Sequence, residues 1–175
     1  MTGAVVWFTG LPASGKTTLA KAVQERLTQL NRAVCLLDSD EVRDVLLSRL
    51  GYTEGEREAF YAMLARLAGL LARQGLLVLV AATAHRNKHR EQARQVAPHF
   101  IEVYVATPIE ECRRRDPKGL YARARTGELT SLPGAEIDYE TPANPDVIAQ
   151  GGLSAGAVGE ILRRIRDVAP PGVNA

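Results

Sequence analysis

The stretch Gly10-Leu11-Pro12-Ala13-Ser14-Gly15-Lys16-Thr17 decides the fold, because it completes the phosphate-binding pattern G-x-x-x-x-G-K-[ST]. Upstream, Ala4-Val-Val-Trp-Phe8 is a short apolar run that reads as a buried strand. Downstream, Thr18 to Leu27 places apolar residues at 19, 20, 23 and 27, the spacing of one helix face. Strand, loop and helix in that order form the setting in which the motif works. Glycines let successive backbone N–H groups turn inward around a triphosphate, and the helix adds its positive N-terminal end. Lys16 then reaches the β- and γ-phosphates, and the Thr17 hydroxyl is the Mg²⁺ ligand. The motif predicts an ATP or GTP site and leaves the phosphate acceptor open.

Working outward, near-continuous apolar runs at 33–37, 76–82 and 100–105 join 4–8 as strands of the kind buried on both faces of a parallel sheet. Helical patterns lie at about 16–30, 40–50, 55–74, 87–97, 108–115 and 154–168. This alternation predicts a single α/β domain over 1–175, a doubly wound parallel sheet of the P-loop type flanked by helices. Segment 116–152 breaks the pattern. A short basic helix, Asp116 to Arg125, is followed by Pro133, Gly134, Pro142 and Pro145 with little apolar periodicity. We read it as a lid over the site, against the alternative of a structural excursion. The tail 169–175 is expected to fray.

In such sheets ligands gather at the carboxyl ends of the strands, so the residues just after each strand carry the functional information. The second strand ends in Asp38-Ser39-Asp40. A carboxylate there holds a Mg²⁺-bound water or accepts a proton from an attacking hydroxyl; Asp38 is favoured for that chemistry. For Asp40 the same role and a helix cap stand equally. The third strand ends in Ala81-Ala82-Thr83, without a carboxylate. Asn87-Lys88-His89-Arg90 begins like the guanine-reading motif of GTPases, but Arg occupies the position of its aspartate. These features disfavour a regulatory GTPase and describe a small-molecule kinase. Arg43 and Arg57 are either solvated surface residues or ligands for an anionic substrate. The basic run Arg113 to Lys118 is read as stabilising charge on a transferring phosphoryl group. His85 and His89 stand four apart, yet no third ligand completes a metal cluster, so helix-surface or phosphate-proximal histidines are expected.

The composition excludes several classes. The chain has 175 residues, of which 46% are hydrophobic and 24% charged, with a formal net charge of +2. It therefore lacks the field of a nucleic-acid binder, and aromatics are only 5% of it. Cys35 and Cys112 lack metal spacing and are expected as free thiols in a reducing compartment. The first strand begins too early for a signal peptide, and the longest apolar run, Gly75 to Ala84, is too short to span a bilayer. A cytoplasmic protein without membrane attachment follows. From the residues, a phosphotransferase to an alcohol stands first, and a nucleotide-binding module with degraded catalysis is its rival.

With these residues laid out, the chain resembles adenylylsulfate kinases from about Val5 to Asp146. The most specific match is Arg115-Asp-Pro-Lys-Gly-Leu-Tyr121 with Ala124-Arg125 and Gly127-Glu128. Tyr139-Glu140, Pro142, Asn144-Pro145, the stretch Phe100 to Pro108, and Asp38, Asp40 and Arg43 continue it. The resemblance implies transfer of the ATP γ-phosphate to the ribose 3′-hydroxyl of adenosine 5′-phosphosulfate, in sulfate assimilation. It implies that Gly10 to Thr17, with Thr18 and Arg115, hold ATP and Mg²⁺, and that Asp38 orients or deprotonates the hydroxyl. It further implies substrate contacts from Asp40, Arg43, Arg57 and Thr83, with Tyr52 as a platform under the substrate adenine. Lys118 and Tyr121 are implied to close over the nucleotides, and the protein to be a homodimer. Three departures stand out. Phe60 replaces an Asn of the family pattern, Ala82-Thr83-Ala84-His85-Arg86 replaces Ile-Ser-Pro-aromatic-Arg, and Leu132 replaces an adenine-stacking aromatic. They leave open an acceptor that is another hydroxyl-bearing nucleotide or small molecule.

Overall fold

The computed structural model describes residues 3–46, 50–151 and 153–170. Five parallel strands form one sheet in the order β2-β3-β1-β4-β5, with β1 at Ala4–Thr9, β2 at Val34–Asp38, β3 at Leu77–Ala81, β4 at Phe100–Ala106 and β5 at Val147–Gln150. The first four match the apolar runs of the sequence. The fifth lies within the expected irregular stretch 116–152: Val103 to Ala106 of β4 pair with Val147 to Gln150. With Val147 and Ala149 inward and Ile148 and Gln150 exposed, β5 is a half-buried edge strand of four residues, too short to announce itself.

Alternation along β1 explains the two-sided core. Ala4, Val6 and Phe8 face α1 (Lys16–Gln29) and α7 (Ala155–Val168), while Val5 and Trp7 face α3 (Glu54–Arg73) and α4 (Asn87–Val96). Trp7, Phe8, Leu64 and Ile161 are fully buried, and burying one such side chain contributes roughly 1.5–3 kcal/mol. A third, smaller cluster of Cys112, Tyr121, Ala124 and Leu132 packs with Leu11 and Ile109 beneath the segment after α5 (Ile109–Arg115). That segment contains α6 (Leu120–Arg125), whose first turn is held by the Asp116 carboxylate accepting from the backbone N–H groups of Tyr121 and Ala122.

Two helix ends differ from the sequence reading. The helix expected over 40–50 is α2, Ser39–Val45; residues 47–49 lie outside the described residues. The expected fraying does not start at 169, since Ala169 is buried and its carbonyl accepts from Arg32 Nη2 at 2.7 Å. Residues 171–175 lie outside the described residues. Among the described residues no helix is long and apolar enough to cross a membrane.

Candidate active site

The loop after β1 wraps the start of α1. Gly15 caps that helix at φ 100°, a left-handed conformation that glycine adopts without penalty. Lys16 Nζ donates to the carbonyls of Gly10 (3.1 Å) and Leu11 (2.8 Å). Burial lowers its pKa to about 8, against the opposing pull of nearby carboxylates including Asp40 and Asp38.

At the end of β2, Asp38 faces this loop. Its Oδ2 accepts from the Thr17 hydroxyl at 2.5 Å and its Oδ1 from the Asp40 backbone N–H at 2.9 Å. Asp38 is thus the N-cap of α2, and the alternative of Asp40 as the cap is corrected. Asp40 sits in the first turn, where its carboxylate pairs with Lys118 Nζ. That contact joins α2 to the segment after α5 and raises the Lys118 pKa.

The opposite wall grows from α3. A capping box of Thr53 and Glu56 starts this helix and fixes Tyr52 just before it. Arg57 and Phe60 lie three apart on its buried face. Arg57 is 6% exposed and donates from Nε to the Tyr52 carbonyl (2.8 Å) and from Nη2 to the Ser131 carbonyl (2.6 Å). Arg43 Nη1 donates to the carbonyls of Leu50 (2.9 Å) and Gly51 (3.1 Å). Its guanidinium carbon lies 3.7 Å from the Phe60 ring centre and 4.7 Å from that of Tyr52. The solvated-surface alternative therefore fails for both arginines, because backbone carbonyls and aromatic rings hold them in place.

These elements enclose a cleft of about 960 Å³, within the usual range for small-molecule sites. Pro12, Ala13, Gly15, Lys16, Thr17 and Thr18 line it, as do Asp38, Asp40, Arg43, Tyr52, Arg57, Thr83, Arg115 and Lys118. Arg115 reaches it with Nε on Glu111 (2.7 Å) and Nη2 on the Gly151 carbonyl (3.1 Å). Gly10, Leu11 and Ser14 form the back of the loop instead of its lining. Tyr121, expected to close over a nucleotide, does not line the cleft. It is buried in the third cluster, and its hydroxyl donates to the Pro12 carbonyl at 3.0 Å. Ser131, Leu129 and Arg123 also line the cleft; polar or apolar, none has a local sequence signature. A side cavity of about 470 Å³ continues beyond Arg57, lined by His85, Ser131, Ile137 and Glu140 among others.

The Asn87 to Arg90 stretch finds a structural use. Arg90 is buried and donates to Glu102 (2.8 Å), to the Ala84 carbonyl (2.5 Å), to the Glu140 carbonyl (2.6 Å) and to Asn87 Oδ1. It ties α4 and β4 to the segment leading into β5. The sequence reading of His85 and His89 as helix-surface or phosphate-proximal residues is corrected: both are buried, neither lines the cleft of the phosphate loop, and His89 packs on Tyr61 at 4.6 Å between ring centres. Their Nδ1 atoms have no hydrogen-bond partner among the described residues, and burial lowers both pKa values to about 4. Among the described residues no group of three His, Cys, Asp or Glu side chains could hold a metal.

Comparison with known proteins agrees with this geometry. The family model for adenylylsulphate kinase matches residues 2–150. The adenylyl-sulfate kinase of Citrobacter koseri is 42% identical over 167 residues, covering 94% of this chain and 83% of its own. The APS kinase CysC of Mycobacterium tuberculosis, solved in complex with AMPPNP and APS, superposes with a TM-score of 0.85 at 38% identity, covering 95% of this chain and 97% of its own. A hexameric APS kinase from Thiobacillus denitrificans superposes at 0.70 with 26% identity, covering 99% of this chain and 30% of its own. The chain belongs to the adenylylsulphate kinase family.

Proposed function

We infer that this enzyme transfers the γ-phosphate of ATP to the 3′-hydroxyl of adenosine 5′-phosphosulfate, giving 3′-phosphoadenosine 5′-phosphosulfate and ADP. The observation that carries the reading is the meeting of Thr17 and Asp38 at 2.5 Å in a cleft that Arg43 and Arg57 also line. The phosphate loop then addresses the donor, the two arginines address the acceptor anion, and the hydroxyl to be phosphorylated lies near Asp38. Lys16 and the loop N–H groups orient the β- and γ-phosphates, and Asp38 accepts the hydroxyl proton as the new P–O bond forms. Catalysis of this kind is mainly positioning plus stabilisation of charge on the moving phosphoryl group, to which Arg115 contributes.

The Thr17 hydroxyl is a hard oxygen donor that would hold Mg²⁺, with the Asp38 carboxylate beside it left to take the acceptor's proton. When bound, Mg²⁺ supplies neutralisation of charge between the β- and γ-phosphates. We take the lid read at 116–152 as ending at residue 146, where β5 takes over from Val147; Thr83, Lys118 and Tyr52 serve as acceptor-side contacts, and the chain is one catalytic domain acting as a cytoplasmic homodimer. Light scattering of the purified protein checks the last point.

The test is ADP release from Mg·ATP with and without adenosine 5′-phosphosulfate, with the product identified by mass spectrometry. A dependent burst of ADP and a product heavier by one phosphoryl group is expected; ATP binding with no response to the added nucleotide overturns the reading. A second reading, a kinase of another hydroxyl-bearing nucleotide, is favoured by Phe60, His85 and Leu132. A panel of such nucleotides decides it.

A further inference from the structure

We propose that Phe60 is a positioning residue for the acceptor, holding the Arg43 guanidinium flat so that its in-plane donors face the acceptor's anionic group. This rests on the function proposed above and deepens it. The Phe60 ring is fully buried and is itself braced edge-on by Tyr61, at 5.5 Å between ring centres and 65° between planes. It therefore has one place to be. The guanidinium lies 3.7 Å from its centre, which is direct stacking contact, and 4.7 Å from that of the cleft-lining Tyr52. Backbone carbonyls of Leu50 and Gly51 hold Nη1.

An aromatic face grips a guanidinium without consuming any of its N–H donors, because the attraction acts through the ring quadrupole and not through a lone pair. An amide side chain at position 60 would instead hydrogen-bond as an individual partner, to the arginine or to the ligand. With Phe60 the fork is fixed in angle while Nε and Nη2, which make no hydrogen bond among the described residues, remain for anion oxygens. The departure from the family pattern at this position is then a different way of holding the anion-binding arginine. On this account the anion site survives even though the Asn is gone.

The experiment compares the parent enzyme with Phe60→Leu, Phe60→Tyr and Arg43→Lys, using steady-state kinetics and calorimetric titration with adenosine 5′-phosphosulfate. Phe60→Leu keeps apolar volume and loses the ring face; Arg43→Lys keeps the charge and loses the planar fork without touching the core. Each is expected to raise KM and Kd for adenosine 5′-phosphosulfate about 5- to 20-fold, leaving KM for ATP and kcat within about threefold. Phe60→Tyr keeps the face and should stay within about twofold of the parent. In the Arg43→Lys background, Phe60→Leu should add less than twofold. If Phe60→Leu does not fold, Phe60→Met, which also keeps apolar volume without the ring face, decides through the same split between KM and kcat. Equal affinity in the parent and Phe60→Leu overturns the positioning role, as does a loss confined to kcat. A parent that binds the nucleotide but does not phosphorylate it overturns the proposed reaction alone, and a parent that does not bind it overturns both.

Discussion

Lys16 illustrates how a single residue carries both function and a stability cost. A buried cation whose pKa falls to about 8 is one the fold tolerates for the sake of a phosphate partner. Replacing it with Met should therefore lower turnover by about 10³-fold or more without lowering the melting temperature. A variant that stays active would sink the assignment. Because a bound phosphate restores the charged form, ATP binding near pH 8 should take up protons. Affinity should fall as the pH rises through that value. Calorimetry in buffers of different ionisation enthalpy reads the proton count directly, and no uptake would place the lysine away from the phosphates. Asp38 permits a similarly clean test, since Asn also caps helices: its Oδ1 still accepts from the Asp40 N–H, and its amide N–H can donate to the Thr17 hydroxyl oxygen. Asp38→Asn should lower kcat by about 10²- to 10³-fold while Kd for ATP changes less than fivefold. A normal kcat with lost ATP binding would contradict an acceptor-side role.

At the scale of elements, the cleft depends on segments that meet only at their ends. Gly134 has φ +81°, and a β-carbon there would lie 2.4 Å from Leu11 Cδ2. Gly134→Ala should push the segment off the phosphate loop. Stability is expected to fall by about 1–3 kcal/mol and KM for ATP to rise, as read by denaturant titration and kinetics. The start of α3 is the other sensitive end. Thr53 and Glu56 cap it, and that cap sets the position of Tyr52 and of the Arg57 contact to its carbonyl. Phosphate loop, β2 terminus and α3 face were all legible from motif, apolar runs and periodicity, because each is specified within about twenty consecutive residues. The swap of cap from Asp40 to Asp38 was not, because both are aspartates that cap equally well and only the backbone turn into α2 chooses between them.

Over the whole molecule, the histidine pair makes acid sensitivity predictable. Both folded pKa values, about 4, lie below the ordinary 6.5, so between those limits the unfolded chain binds more protons than the folded one. Stability should fall as the pH drops from 6.5 towards 4, by on the order of 3 kcal/mol for each histidine, and add no further slope below that. His89→Phe keeps a ring on Tyr61 and should flatten the curve of melting temperature against pH; an unchanged slope would assign the acid loss to other groups. By itself the sequence determined the strand–loop–helix of the phosphate-binding motif, four strands, every long helix and about half of the residues that line the cleft. These follow from local hydrophobic period and from residue types that chemistry demands at given spacings. Only the tertiary structure decided that Val147–Gln150 closes the sheet, that Tyr121 braces the loop from behind, and that Arg90 is a buried tie. It also decided that the two histidines are core residues and that Phe60 lies under Arg43. Each of these depends on a partner distant in sequence or across a helix turn, and burial or pairing of that kind leaves no period for a local reading to detect.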